Sequence, residues 1–472
     1  MPGRFLSFFG PITKVMPEVK PPERRIPFRE KLIWTAIVLV AYLLMTEIPL
    51  FGVARTSSQS DPYFYLRVIF ASSRGSLMEL GIQPIVTAGL ITQLLGSSGL
   101  VQFDNKSTED RGLLAGATKF ATILMTTVLA LAYLLSGAYG ADLSLVAKVA
   151  IFAQLFSAGL FLMLLDELLQ KGWGLGSGIS LFIAAGVAQK IFWDLFSPLP
   201  YEENGNALGS IIAYFQSVLR GESPLTSFIS RSTADAPTML GLIVTICVFV
   251  IVTYLQALRV EIPISYAKYR GFRGRYPVNL LYVSNLPLIL VSSLFMDIIF
   301  FVQIIMSRFN PLSDNGWLNW LGTFDNNQPV GGLAYYLTSP RNLSQFLGDP
   351  IRAVIYASMI IGLCGLFALI WLQVSGMDPS SVAQQLVDSG LQIPGFRRSV
   401  KPIQSVLERY IPTVAVVGGL IVGIVSSFSD FFGAYGTGTG ILLTVGIVYQ
   451  YYQTMVQEQI EDIYPILKGT LK

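Results

Sequence analysis

The sequence predicts an all-α polytopic membrane protein with ten transmembrane helices. Of its 472 residues, 52% are hydrophobic and only 13% are charged, a balance typical of chains embedded in lipid. Apolar runs of about the length that spans a bilayer follow one another along the whole chain. These predicted spans cover residues 32–51, 78–96, 114–135, 145–165, 178–196, 238–257, 284–306, 353–374, 411–428 and 438–455.

The basic residues predict the orientation. Ten spans place both termini on the same side of the membrane. Most of the 32 Lys and Arg residues fall in segments that share a side with the termini, and the long loop 307–352 has few. Because Lys and Arg accumulate in cytoplasmic segments, we expect a cytoplasmic N-terminal segment, 1–31, and a cytoplasmic tail, 456–472. Residues 197–237 are then an exterior linker. The N-terminal segment is interrupted by prolines and is not expected to be a signal peptide.

The second span is unlike a lipid-facing helix. Gln83, Pro84 and Thr87 interrupt an apolar run that is itself short. Proline and polar groups are tolerated at membrane depth where neighbouring protein or water satisfies the backbone. We therefore expect this helix to line a passage inside the bundle. Residues 61–74, just before it, predict a short amphipathic helix that cannot span the membrane.

Two predicted cytoplasmic loops, 259–285 and 375–409, concentrate arginine beside glycine. One interpretation is that they only report the orientation of the chain. The other is that they form a dock for a polyanion such as a ribosome, since the planar guanidinium group suits phosphate.

Several chemistries are excluded or disfavoured by composition. The chain contains no histidine, which removes Ser-His-Asp catalysis and His-ligated metal sites. Cys247 and Cys364 lie inside apolar runs and form no CxxC motif. Glycines cluster at 172–178 and 436–440, but no strand precedes them as a nucleotide-binding loop requires. Close helix packing near a pore is the favoured use of these glycines, and no cofactor is expected.

Carboxylates near the spans are candidates for function, because charges inside a membrane are costly. Most lie at span ends, where an interfacial position explains them: Glu47, Asp166, Glu167 and Asp430. Asp297 is different, because it lies well inside the seventh span, one turn from Ser292 and Ser293.

Many segments in a fixed order resemble the SecY family of protein-conducting channels. They are PPERRIPFREKLIWT, ELGIQPIVTAGLITQLL, GLGSGISLFIAAGVAQ, RVEIPI, YPVNLLYVSNLP, VGGLAYYLTSP, QIPGFRRS, RYIP and GTGTGILLTV. The resemblance covers nearly the whole chain, and the VGGLAYYL loop looks like the archaeal branch of the family.

The resemblance implies two inverted five-helix halves, 32–196 and 238–455, around a central pore. The helix at 61–74 would be a plug on the exterior side of a constriction. An aliphatic constriction fits around any translocating chain without binding it, and dewetting closes it when it is empty. The implied ring residues are Ile82, Val86, Ile179, Ile183, Ile289 and Leu443.

The resemblance also assigns a lateral gate between the second and seventh helices. Thr87, Gln93 and Asp297 match its polar patch, although relatives often carry an amide at the position of Asp297. The alternative is that Asp297 faces an aqueous vestibule and does not touch the second helix. The implied ribosome-docking residues in the two basic loops are Arg273, Arg275, Arg397 and Arg398.

The expected function is the central subunit of a translocation channel in the cell membrane, and not an enzyme. It would pass secretory polypeptides and release transmembrane segments sideways into lipid. The expected partners are a single-span subunit of the SecE/gamma type, a small beta/SecG-type subunit, the ribosome, signal sequences and nascent polypeptides. A secondary transporter is the alternative, but it needs polar groups converging at the midplane. A membrane-embedded enzyme comes third.

Overall fold

The structure is a computed structural model. It describes residues 16–24, 26–52, 67, 70–97, 108–135, 139, 144–201, 205–231, 236–266, 273–281, 286–310, 316–325, 328–340, 343–389, 391–392 and 399–463.

Within these ranges the chain forms fifteen α-helices and five short strands. The helices before the first strand are α1 (Phe28–Glu47), α2 (Gln83–Ser97), α3 (Thr108–Leu135), α4 (Leu145–Leu168), α5 (Gly178–Phe196), α6 (Ser210–Leu219), α7 (Pro224–Ile229) and α8 (Met239–Ala257). The later helices are α9 (Leu286–Phe309), α10 (Gly332–Tyr336), α11 (Leu343–Gly348), α12 (Pro350–Val374), α13 (Pro379–Asp388), α14 (Val400–Phe431) and α15 (Gly438–Ile463). The strands are β1 (Arg259–Tyr266), β2 (Arg273–Asn279), β3 (Thr323–Asp325), β4 (Gln328–Gly331) and β5 (Leu391–Gln392).

Every predicted span overlaps a helix, which confirms the all-α polytopic fold class. Seven helical segments of the described chain are long and apolar enough to cross a membrane: Gly112–Leu134, Leu145–Trp173, Gly178–Phe196, Met239–Ala257, Leu286–Met306, Pro350–Gln373 and Val400–Phe431. The helices α1, α2 and α15 fall short for separate reasons. Charged residues lie near both ends of α1, α2 has only 15 residues, and the second half of α15 is polar.

Several helix ends differ from the ends of the predicted spans, and two of these differences, both at helix starts, concern the second and ninth spans. The second helix begins at Gln83 and not at residue 78, because Gly81 adopts a φ of 53° that ends helical geometry there. Pro84 then occupies the first turn, where its missing N–H costs no helical hydrogen bond. The ninth span begins at Val400 and not at residue 411, since the helix continues into the basic loop.

Short polar side chains start several helices as capping rules require. The side chains of Ser144, Thr238, Asp349 and Asp378 accept hydrogen bonds from backbone N–H groups in the first turns of α4, α8, α12 and α13. Proline follows Asp349 and Asp378 at the first helical position, where its fixed φ suits a helix.

The chain packs as two compact units. The first comprises residues 1–193, 296–335 and 447–472, and the second comprises residues 194–295 and 336–446. In the first unit, Tyr42 of α1 is fully buried and stacks on Phe182 of α5, with ring centroids 5.0 Å apart. Tyr133 of α3 stacks in the same way on Phe300 of α9, at 4.9 Å.

In the second unit, glycines allow α12 and α14 to approach closely. A Cβ atom on Gly419 would lie 2.7 Å from the Cys364 carbonyl oxygen. One on Gly423 would lie 2.8 Å from the Cα atom of Ile361. Small residues at such crossings are typical of packed membrane helices.

The second unit also contains a three-stranded antiparallel sheet, ordered β2-β1-β5. The strands β1 and β2 form a hairpin, and β5 pairs with the end of β1 through Ser265↔Gln392 and Tyr266↔Leu391. Ile262 and Val278 pack from the hairpin into an apolar core with side chains of α13 and α14. The described parts of the two basic loops, 259–285 and 375–409, are therefore joined in one sheet.

Candidate functional site

The first unit contains four of the six predicted ring residues. Ile82 is fully buried at the start of α2, and its N–H donates to the Phe70 carbonyl oxygen at 2.8 Å. Val86 follows one turn later and is half-buried. Ile179 and Ile183 occupy the first two turns of α5, the former half-buried and the latter buried. In each helix the two side chains share one face.

The second unit contains the other two predicted ring residues. Ile289 is half-buried in the first turn of α9, and Leu443 is buried in the second turn of α15. All six ring positions therefore lie close to the N-terminal ends of their helices. Their joint role as a ring stays a prediction.

A buried aspartate holds the start of each helix that follows a glycine cluster. The Asp166 carboxylate, at the end of α4, accepts a hydrogen bond from the Ile179 N–H at 3.1 Å. The Asp430 carboxylate, at the end of α14, accepts one from the Gly438 N–H at 2.7 Å. Their place at span ends predicts interfacial positions for both carboxylates and does not indicate these contacts.

The glycines at these helix starts are required by close approach. A Cβ atom on Gly178 would lie 2.7 Å from the Asp166 Cα atom, and one on Gly438 would lie 2.4 Å from the Ser426 carbonyl oxygen. Gly172, in the π-helical turn Leu169–Trp173 after α4, has a φ of 96°. The glycine clusters thus form tight turns between consecutive helices as well as packing surfaces.

Only part of the predicted plug helix, 61–74, lies within the described residues. Arg67 and Glu79 form a buried ion pair at 2.7 Å between this segment and the start of α2. The Tyr42 hydroxyl donates to the Ala71 carbonyl oxygen at 3.2 Å, which ties the same segment to α1. The plug segment is therefore anchored by a charge pair and by a hydrogen bond.

Asp297 contacts the second helix through a residue that was not assigned to the gate. Its Oδ1 atom accepts a hydrogen bond from Gln83 Nε2 at 3.0 Å. Thr87 is buried, and its hydroxyl has no hydrogen-bond partner among the described residues. Gln93 is exposed. Gln83 lies one helical turn before Thr87, and this spacing was the available signal.

The predicted docking arginines are described only in part. Arg397 and Arg398 lie outside the described residues, and Arg273 begins strand β2. Arg275 is exposed and pairs with Glu261 across the hairpin. The hydrogen bond from Arg275 and its positive charge hold the pKa of the Glu261 carboxyl below its usual range.

A charged cluster on the predicted cytoplasmic side was missed. Glu167, at the end of α4, is nearly buried and lies 2.5 Å from Lys119 Nζ and 2.9 Å from Lys171 Nζ. Lys171 also pairs with Glu18 of the N-terminal segment, and this ion pair lowers the pKa of the Glu18 carboxyl. The cluster ties the N-terminal segment to the ends of α3 and α4.

Comparison with known proteins defines the class of this membrane protein. Two family models match: SecY over residues 76–452 and the plug domain of Sec61p over residues 40–75. The Sec61 subunit alpha of Dictyostelium discoideum is 42% identical over 469 residues, covering 97% of this chain and 98% of that protein. The chain belongs to the SecY family.

Solved structures agree with this assignment. One described as a protein-conducting channel has a TM-score of 0.81 and 37% identity, covering 97% of this chain and 98% of that chain. Sec61 in the canine ribosome-channel complex from the endoplasmic reticulum has a TM-score of 0.79 and 35% identity, with the same coverage. The chain is thus a multi-pass channel subunit for protein transport, with a plug domain, and not an enzyme. The transporter alternative has no support.

Proposed function

We propose that this chain forms the translocation passage in the membrane of the endoplasmic reticulum, with both termini in the cytoplasm. Similarity to the Dictyostelium protein and to the canine complex supports the eukaryotic branch over the archaeal branch that the VGGLAYYL loop suggested. The same similarity favours the endoplasmic reticulum over the cell membrane. Secretory polypeptides cross through the passage, and transmembrane segments leave it sideways.

The main support for the proposed passage is that the predicted ring residues near these helix N-termini are aliphatic. Ile82, directly before α2, and Val86 in α2 match Ile179 and Ile183 of α5, with a spacing of four residues within each pair near a helix N-terminus. None of these side chains can hydrogen-bond a translocating peptide. Together with Ile289 and Leu443 they form a constriction that fits varied chains and excludes water when it is empty.

A nascent polypeptide stalled during translocation tests this passage directly. A photoreactive amino acid at position 82 or 183 is expected to crosslink to the stalled chain. The matched control is Ile246 of α8, an isoleucine that is 55% exposed on the outer surface of its helix. Equal crosslinking at the control position, or none at positions 82 and 183, contradicts the proposal.

The gate forms where α2 meets α9. The hydrogen bond between Gln83 and Asp297 supports this assignment, because it joins the two helices inside the apolar core. Polar contacts between membrane helices contribute only about 0.6–2 kcal/mol. A contact of this strength favours the closed gate but does not prevent α2 and α9 from separating. Entry of an apolar signal helix can therefore separate α2 from α9.

The basic hairpin and the loop that pairs with it dock the ribosome. Arg273, Arg275, Arg397 and Arg398 supply charge for phosphate groups. Support comes from the pairing of β1 with β5, which brings both basic loops to one sheet. Two structural relatives are themselves ribosome complexes, from dog and from yeast, the latter an Ssh1 complex. Arg275 must exchange Glu261 for phosphate on docking.

A single-span subunit of the SecE/gamma type clamps α1, and a small beta/SecG-type subunit completes the complex. The exposed face of α1 supports such a clamp. Its large apolar residues recur at helical spacing along one stripe, formed by Ile33, Ile37, Val40 and Leu44.

A further inference from the structure

Two tryptophans are exposed just after the helix that carries Asp297. Trp317 is 93% exposed and directly precedes the 3₁₀ turn Leu318–Trp320, and Trp320, which ends this turn, is 71% exposed. Tryptophan buries a large apolar ring at most positions in proteins, so two exposed rings in one short turn indicate a contact surface. We name Trp317 and Trp320 the tryptophan pair.

The turn is fixed to the end of α9. Asn310, the residue after this helix, is buried, and its Nδ2 donates to Asn319 Oδ1 at 2.9 Å. The Ala334 N–H donates to the Leu321 carbonyl oxygen at 3.1 Å, which ties the turn to α10. Asn319 lies between the two tryptophans, so the pair is held close to the last residues of α9.

The helix α9 is long enough for its end to reach a membrane interface. Its 24 residues extend over about 36 Å at 1.5 Å per residue, more than the roughly 30 Å of a hydrocarbon core. Phe301, Ile305 and Phe309 are exposed at intervals of one turn and form a continuous apolar stripe. The stripe ends at Phe309, the last residue of the helix, directly before Asn310.

We propose that the tryptophan pair inserts into the interfacial layer of the bilayer and anchors the end of α9 to lipid. Tryptophan concentrates at this layer because its ring is apolar and its N–H can reach water or headgroups. Lipid is the favoured occupant for two reasons. The exposed apolar stripe of α9 ends at Phe309, next to Asn310, whose side chain contacts the turn that carries the pair. Residues 316–322 contain no charged side chain. The anchor fixes one end of α9, so that the helix pivots there when the gate opens, a consequence that rests on the proposed gate.

Fluorescence quenching by brominated lipids tests the anchor. The reconstituted channel complex carries a chain in which Trp34, Trp173, Trp193 and Trp371 are replaced by Phe, so that this chain emits from the pair alone. Lipids brominated near the headgroup are expected to quench this emission more strongly than lipids brominated near the chain ends. Aqueous acrylamide is expected to quench it weakly.

A second variant avoids disturbing packed tryptophans. Trp34 and Trp173 pack edge to face, with ring centroids 5.5 Å apart, so their removal could weaken the fold. Trp317→Ser with Trp320→Ser in the otherwise unchanged chain should lose emission that brominated lipid quenches, and Trp193→Ser serves as the single-site comparison. Strong acrylamide quenching without lipid quenching of the pair places it in water and overturns the proposal. Protection from both quenchers in the complex places it against a protein and also overturns it. Neither result depends on transport, so the proposed function is tested separately.

Discussion

The buried ion pair between Arg67 and Glu79 is expected to keep the plug seated. Arg67 lies in the predicted plug helix and Glu79 lies just before α2, with side chains that are 8% and 1% exposed. Glu79 also accepts a hydrogen bond from the Gly75 N–H. The change that tests the pair is Glu79→Gln, because glutamine keeps the size and an acceptor oxygen but removes the charge.

The expected effect is large because the pair is buried. Removing one partner of such a pair costs about 3–5 kcal/mol, since the remaining charge is left uncompensated. A cost of about 3 kcal/mol corresponds to roughly a 150-fold shift in a two-state equilibrium. The cost falls on the seated state, in which the pair forms. We therefore expect Glu79→Gln to raise the ion conductance of the idle channel.

The matched control replaces both charges. Arg67→Met with Glu79→Met fills a similar volume with apolar side chains, and such replacements are often neutral. The double variant should therefore conduct ions nearly as little as the parent in planar bilayers. Unchanged conductance in Glu79→Gln would refute the expectation that this ion pair keeps the plug seated. A double variant as leaky as the single one would contradict the view that the leak comes from an uncompensated buried charge.

Four further changes test the ring, the caps, the gate and the dock. Serine at three ring positions should let water and ions through the idle pore, measured by single-channel recording; unchanged conductance would contradict the ring. Asp430→Leu should raise the same leak because it frees the Gly438 N–H, a loss of about 1–3 kcal/mol. Asp430→Asn should leave the idle pore closed, because an amide oxygen still accepts the hydrogen bond from Gly438. Asp297→Leu should change how hydrophobic a signal must be for acceptance, and an unchanged threshold across a graded signal series argues against the gate. Charge reversal in the basic loops should weaken ribosome co-sedimentation and flatten its salt dependence, whereas equal binding at low and moderate salt would leave these loops as orientation signals only. The ring changes are at Ile82, Ile183 and Ile289, and the loop changes are at Arg273, Arg275, Arg397 and Arg398.

The helices could be predicted because each is encoded locally. An apolar run of sufficient length must bury its backbone polar groups in hydrogen bonds within lipid, and a helix satisfies them all. The ends of helices were harder, because they depend on single residues. Gly81 ends helical geometry before α2 through its positive φ, which hydropathy does not register. At α14 the helix continues through polar residues that the apolar run excludes.

The sheet could not be predicted from the loops taken separately. β1 contains the alternation Val260, Ile262 and Ile264, which is a strand signal of period two. Its pairing with β5, however, joins residues far apart in the sequence, and β5 has only two residues. No local pattern specifies such a partner. The sheet forms because Ile262 can bury itself against α13 and α14 only when the hairpin folds back onto them.

The two capping aspartates explain why a hydrophobicity profile misjudged the carboxylates. A profile places Asp166 and Asp430 at span ends and predicts that they face water or headgroups. After each of them the chain reverses through glycines, so the N-terminus of the next helix returns to the carboxylate and supplies N–H donors. Burial is tolerated because the charge meets the positive end of a helix. Both capped helices carry predicted ring residues within their first two turns, so the same turn that hides the carboxylate also sets where the ring side chains begin. A search for aspartate, then glycines, then an aliphatic helix start would have found both sites.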